Sequence, residues 1–116
     1  MSVGILNVPA TAQAARTLTV ESVTSLIMRL YNTGRTRDAI TAGTRYLECS
    51  TTRSSDFYYV LATAYLRHHD ATGREELLVR ALEMREQARL RSPYWHYTEK
   101  RQWPQIHALD SPEASG

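Results

Sequence analysis

The sequence predicts an all-α fold: two antiparallel helical hairpins followed by a short C-terminal capping helix. Three observations carry that expectation. Apolar residues recur at three- and four-residue steps over much of residues 20–93, the period of amphipathic helices. Only five Gly and four Pro occur, clustered at segment ends, where helices stop and start. The stretch also repeats internally: Val23, Leu26 and Leu30 fall on Tyr58, Leu61 and Tyr65 at a shift of 35 residues.

Residues 1–18 read as an N-terminal arm, residues 19–104 as the helical domain and residues 105–116 as a flexible tail. In the first hairpin (19–53), Thr19 is placed to cap a helix with Glu21 in its first turn. Val20, Val23, Leu26, Ile27, Leu30 and Tyr31 form its stripe, and Gly34 follows as a residue able to turn left-handed. Thr36 caps the second helix, whose stripe includes Ala39, Ile40, Ala42, Gly43, Tyr46 and Leu47. The small residues Ala39, Ala42 and Gly43 predict a close approach of the two helices.

The second hairpin (54–92) opens at Ser54 or Ser55 and carries Phe57, Tyr58, Leu61, Ala62, Tyr65 and Leu66. A turn is expected at His68–Gly73, with Thr72 and Glu75 spaced as a capping box. Leu77, Leu78, Ala81, Leu82, Met84 and Ala88 continue the pattern, and ion pairs such as Arg80/Glu83 and Glu86/Arg89 fall on a solvated face. Ser92-Pro93 ends that helix and starts the capping helix (93–103), which stops before Pro104. Ala39 and Tyr46 fall on Ala81 and Ala88 at a shift of 42. The seven residues separating 35 from 42 are nearly two helical turns, so an insertion lengthens the second hairpin without rotating its apolar face.

Two-helix periods near 34 residues mark repeat architectures. Tyr58, Leu61, Ala62, Tyr65, Ala81, Ala88 and Pro93 resemble the tetratricopeptide family, as do Leu26, Leu30, Gly34 and Ala39 in the first hairpin. That hairpin departs at Ile27, where the family has a small residue, and at Gly43, where it often has an aromatic. Leu26-Ile27, Gly34-Arg35 and Asp38-Ala39 are also similar to the pentatricopeptide family. The two-repeat layout is similar to that of the mitochondrial fission protein's cytosolic domain. The tetratricopeptide resemblance implies a concave groove lined by Thr24, Met28 and Tyr31 from one hairpin and Tyr59, Thr63 and Arg67 from the other. It implies a peptide or protein ligand, although the family's clamp for a C-terminal carboxylate is not reproduced at Thr24 and Met28. The pentatricopeptide resemblance implies an alternative, an RNA-associated factor with Thr24 at a base-reading position. One such repeat would read one base, so nucleic acid is the lesser expectation.

Composition narrows the function classes. Fourteen basic residues stand against twelve acidic ones, a balance that does not demand nucleic acid. The basic residues are thirteen Arg and Lys100 alone; Arg is the type favoured at ion pairs and interfaces, and a GC-rich genome yields the same ratio. A single cysteine, Cys49, leaves no internal disulfide framework and suggests a reducing compartment, cytoplasmic or mitochondrial. No run approaches the roughly 18 apolar residues of a membrane span. The Ala- and Thr-rich start faintly resembles an organellar targeting segment, with Arg16 its sole charge.

No catalytic, cofactor or metal site is expected. His68-His69-Asp70 reads as a solvated turn, since adjacent histidines diverge and Cys49 offers no paired ligand spacing. Cys49 reads as a small, partly buried helix-end residue, without the base a nucleophile needs. Glu75-Glu76 is explained by the helix dipole. Four of the ten aromatics, Tyr94, Trp95, Tyr97 and Trp103, lie in one short C-terminal stretch. Trp is an interface anchor, so Trp95 and Trp103 are expected to dock a partner. The expected function is therefore a non-catalytic adaptor or accessory subunit of a larger multiprotein assembly, with a mitochondrial complex as its suggested setting.

Overall fold

Local capping chemistry sets the helix boundaries. In the computed structural model, which describes residues 19–110, Thr19 Oγ1 accepts from the Ser22 N–H at 3.1 Å and opens α1 (Val20–Asn32). Gly34, at φ +82°, supplies the left-handed turn into α2 (Thr36–Cys49). Thr36 itself lies inside that helix: Arg35 holds the cap position, and its Nε donates to Asp38 Oδ2 at 2.8 Å. Ser54 Oγ accepts from the Phe57 N–H at 3.2 Å and starts α3 (Ser55–Thr72). Beyond Gly73 come α4 (Glu75–Leu90), α5 (Trp95–Gln102), α6 (Pro104–His107) and a 3-10 turn at Ala108–Asp110. Among the described residues the fold is all-α, and the N-terminal arm lies outside them.

The core is built around α3. Phe57 through Ala62, with Ala64 and Tyr65, are all buried, so this helix is enclosed on more than one side. It packs most extensively on α4 and also meets α1, α2 and α6, while α1 packs on α2. The Phe57 ring sits between Tyr46 at 5.3 Å and Tyr58 at 5.4 Å, tilted and edge-on respectively. Each such aromatic pair contributes about 0.5–1.5 kcal/mol beyond its area burial.

Several paired positions of the internal repeat behave alike. Val23 and Tyr58 are both buried, and Ala39 and Ala81 are both fully enclosed. Leu26 departs from its partner Leu61: Leu61 is fully buried while Leu26 is 36% exposed. Ile27 takes the enclosed position beside it. Gly43, Leu61 and Ile27 meet at one point in the core. A Cβ on Gly43 would stand 2.6 Å from Leu61 Cδ1 and 3.2 Å from Ile27 Cδ1. The space that a side chain at Gly43 would need is thus taken chiefly by Leu61, with Ile27 beside it.

This contact reverses the usual sign of a helical Gly→Ala change. At an exposed site Ala would stabilise by about 1 kcal/mol. Here overpacking costs about 1–3 kcal/mol, so Gly43→Ala is expected to lower the urea midpoint rather than raise it. Gly43→Ala combined with Leu61→Val should recover part of that loss.

Three boundaries differ from the sequence expectation. His68, His69 and Asp70 lie within α3 and not in a turn, because no residue there breaks the helix before Gly73, at φ +73°. The extra residues of the second hairpin therefore lengthen α3 to 18 residues, against 13 in α1. The capping box does not form: Thr72 Oγ1 donates to the His68 carbonyl at 2.8 Å and accepts from Arg74 N, which leaves Arg74 at the cap of α4. Residues 104–110, expected to belong largely to a loose tail, are helical because Pro104 suits a first turn and Ile106 is fully buried. The tail beyond Asp110 lies outside the described residues.

Candidate functional site

The expected groove residues divide into three groups. Thr24 and Thr63 are half-buried, and their hydroxyls donate to the backbone one turn earlier, at Val20 O (2.6 Å) and Tyr59 O (2.8 Å). Met28 and Tyr31 are also half-buried, packed against the core between α1 and α3, and the exposed Arg67 guanidinium lies 4.8 Å from the Tyr31 ring centroid. Tyr59 is not a groove residue in the expected sense. It is fully buried.

What covers Tyr59 is the chain's own C-terminal segment. The Trp103 ring stacks on it with centroids 5.6 Å apart and planes 15° apart. Gln102 to Ile106 form one wall of a cleft of about 270 Å³, and Met28, Tyr31 and Thr63 form the other. A second, more open cleft of about 580 Å³ is bordered by Tyr31, Leu66, Arg67, Asp70, Ala71 and Gln105. The groove is thus partly filled from within, and its open part lies between the later turns of α1 and α3.

A buried charge cluster holds that segment in place. Glu99, on α5, is fully enclosed and accepts four hydrogen bonds. Oε2 takes the Tyr59 hydroxyl at 2.8 Å and Arg89 Nε at 2.6 Å. Oε1 takes Arg89 Nη2 at 2.8 Å and His107 Nδ1 at 3.1 Å, with that nitrogen bearing the proton. Four donors use up the acceptor positions of a carboxylate. Arg89 Nη2 also donates to Asp110 Oδ2 at 2.8 Å, and its guanidinium lies 3.8 Å from the Trp95 ring centroid. Arg85 Nη1 stands 3.0 Å from Asp110 Oδ1, a charge contact that does not lie along an N–H direction. Its Nε and the Trp103 indole N–H are buried without a hydrogen-bond partner.

The electrostatics follow from this packing. Burial pushes the Glu99 carboxyl up, but hydrogen bonds from Arg89, Tyr59 and His107 outweigh it and hold the group below the ordinary carboxylate range. Hydrogen bonding to Arg89 holds Asp110 low as well. Burial and the Glu99 carboxylate together push the Tyr59 phenol well above its usual value. Glu99, Asp110 and Arg89 thereby stay charged, and Tyr59 neutral, near neutral pH. Such an arrangement holds helices together and leaves Glu99 no acceptor capacity for a substrate.

A comparison with protein-family models, curated proteins and solved structures finds no match to this chain. The chain's own residues therefore carry the functional argument. Trp95 is half-buried under Arg89 and stacked on His96 at 3.6 Å, and Trp103 faces Tyr59, so neither tryptophan presents a free ring. The exposed rings of that region are instead Tyr94 and Tyr97. Cys49, expected to be partly buried, is exposed because α2 ends there. Among the described residues no group of three or more His, Cys, Asp or Glu side chains is placed to hold a metal ion. Among them, too, no helix is long and apolar enough to cross a membrane.

The cluster of Arg85, Arg89, Glu99, His107 and Asp110 escaped sequence reasoning. Its members come from α4, α5, α6 and the 3-10 turn, and no local period links them. One signal was present: Glu99 is the sole acid in a helix otherwise carrying Lys100 and Arg101.

Proposed function

We propose that this chain is a non-catalytic protein–protein interaction module, acting as an adaptor or accessory subunit of a larger assembly. The observation that supports it best is the open part of the groove. Met28, Tyr31 and Arg67, from α1 and α3, border adjoining clefts that share Tyr31 and Gln105. A trough with an aromatic floor and a guanidinium at its rim accepts a helix or an extended segment of another protein. A tetratricopeptide-like ancestry and a mitochondrial setting belong to the same proposal, supported by the repeat overlay and by thirteen Arg against one Lys.

Native-level affinity purification with mass spectrometry tests it. Other protein subunits are expected in fixed ratio to the chain. Tyr31→Ala with Arg67→Glu should release them with the helical circular dichroism spectrum retained, and Arg67→Glu alone, at an exposed side chain, separates lost docking from lost packing of the half-buried Tyr31. Recovery of the chain as a free monomer would overturn the proposal. Co-purifying nucleic acid with a steep salt dependence would move the reading to the RNA-associated alternative.

A further inference from the structure

The described surface carries five exposed large apolar side chains, and three of them fall within eight residues of sequence: Leu90 at 69%, Tyr94 at 72% and Tyr97 at 79%. Tyr97 and Arg101, four residues apart, share one face of α5, with Lys100 alongside, and Tyr94 stands at its N-cap three residues before Tyr97. His96, Lys100, Arg101 and Gln102 are exposed on the same short helix. Its single carboxylate, Glu99, points inward and is fully occupied by Arg89, Tyr59 and His107. At the end of α4, Leu90 lines a cleft of about 400 Å³ together with Arg53 and Arg91. The outward side of α5 is thus aromatic, edged by Lys100 and Arg101, with no exposed carboxylate on that helix.

We propose that the outer face of α5 docks an acidic amphipathic segment of a partner protein. The inference rests on the adaptor reading and names the chemistry of one partner surface. Charge complementarity selects the acidic side of that segment, facing the exposed Lys100 and Arg101. The apolar strip selects the rest. The two Tyr rings match an apolar side-chain strip; such rings also stack nucleobases, which is the alternative the oligo(dT) control reads. Nucleic acid also draws its affinity from neutralising many phosphates at once, and α5 offers two full cations. Tyr94 and Tyr97 are suited to the central position because each brings a large rigid surface with few rotatable bonds.

The test uses the full chain and a fluorescent peptide with Leu and Trp at helical three- and four-residue steps and Glu elsewhere. Controls are a scrambled peptide of the same composition and a single-stranded oligo(dT). The patterned peptide is expected to bind more tightly than either control and to weaken as salt rises. Tyr97→Ala, and Lys100→Glu with Arg101→Glu, should each weaken it about tenfold with helicity unchanged. Equal binding of the scrambled peptide, tighter binding of oligo(dT), or indifference to these exposed substitutions would overturn the proposal. Reading the same variants in the native purification separates the two ideas. A partner kept by Tyr97→Ala but lost from Tyr31→Ala with Arg67→Glu overturns the α5 face and leaves the adaptor reading standing. A chain that brings down no partner overturns both.

Discussion

Replacing Glu99 with Ala is expected to destabilise the fold by about 3 kcal/mol, the lower end of what breaking a buried ion pair costs. The lower end applies because Arg89 keeps its contact with Asp110 at 2.8 Å. What it loses is two hydrogen bonds to a carboxylate with no solvent exposure, from a side chain itself only 14% exposed. Tyr59 and His107 lose their partner at the same stroke. Urea denaturation checks the magnitude, and hydrogen exchange checks the location: protection should fall first in α5, α6 and the 3-10 turn. Glu99→Gln should cost less, since the amide keeps the shape and part of the hydrogen bonding. A variant as stable as the parent would show that Arg89 finds equivalent partners elsewhere.

The same carboxylates set an acid limit. Glu99 and Asp110 titrate lower in the folded chain than when unfolded, so the unfolded chain binds protons first as pH falls. Their contribution is fully present above the ordinary carboxylate range of about 4 and is lost as pH drops through the depressed folded values. Between neutral pH and that range these two groups should leave stability level. In Glu99→Gln the acid slope should be shallower, which thermal melts across the pH series would show.

How much of this was legible in the sequence depends on the distance over which each feature acts. Helices α1 to α4 announce themselves because caps such as Thr19 and Ser54, breakers such as Gly34 and Gly73, and the apolar period act within a few residues. The meeting of Ile27 and Gly43 around Leu61 was visible only as two separate departures from a pattern. Their relation needed the packing of α1, α2 and α3. Tyr59 was misassigned because a groove-facing position was inferred without knowing that the chain returns to cover it. That return depends on Glu99 and Trp103 meeting Tyr59 on α3 from forty residues away or more, and on Glu99 meeting Arg89 on α4 across an intervening turn, and propensity carries no such information.

Trp103 decides whether the groove's inner part is a binding site or a structural seam. Trp103→Ala is expected to destabilise by about 3 kcal/mol, the lower end for removing a large aromatic, because the ring is only half-buried. The loss should appear in the free chain, without any partner, since the ring's contact is Tyr59 within the same molecule. Trp103→Phe provides the contrast. It keeps an aromatic face for Tyr59 and removes an indole N–H that is buried without a partner, an orphan costing about 1–3 kcal/mol. The phenyl variant should therefore melt close to the parent while the alanine variant does not. An outward anchoring role predicts the reverse order of evidence: unchanged melting with lost partner retention. Coupling to Glu99 gives a second check. Both side chains fasten the same α5–α6 segment onto α3 and α4, so the first substitution already releases much of what the second would disturb. The double variant should cost less than the sum of the two single changes, by about 1 kcal/mol or more for residues acting through one contact network. Strict additivity would mean that the stack and the charge cluster hold the segment independently.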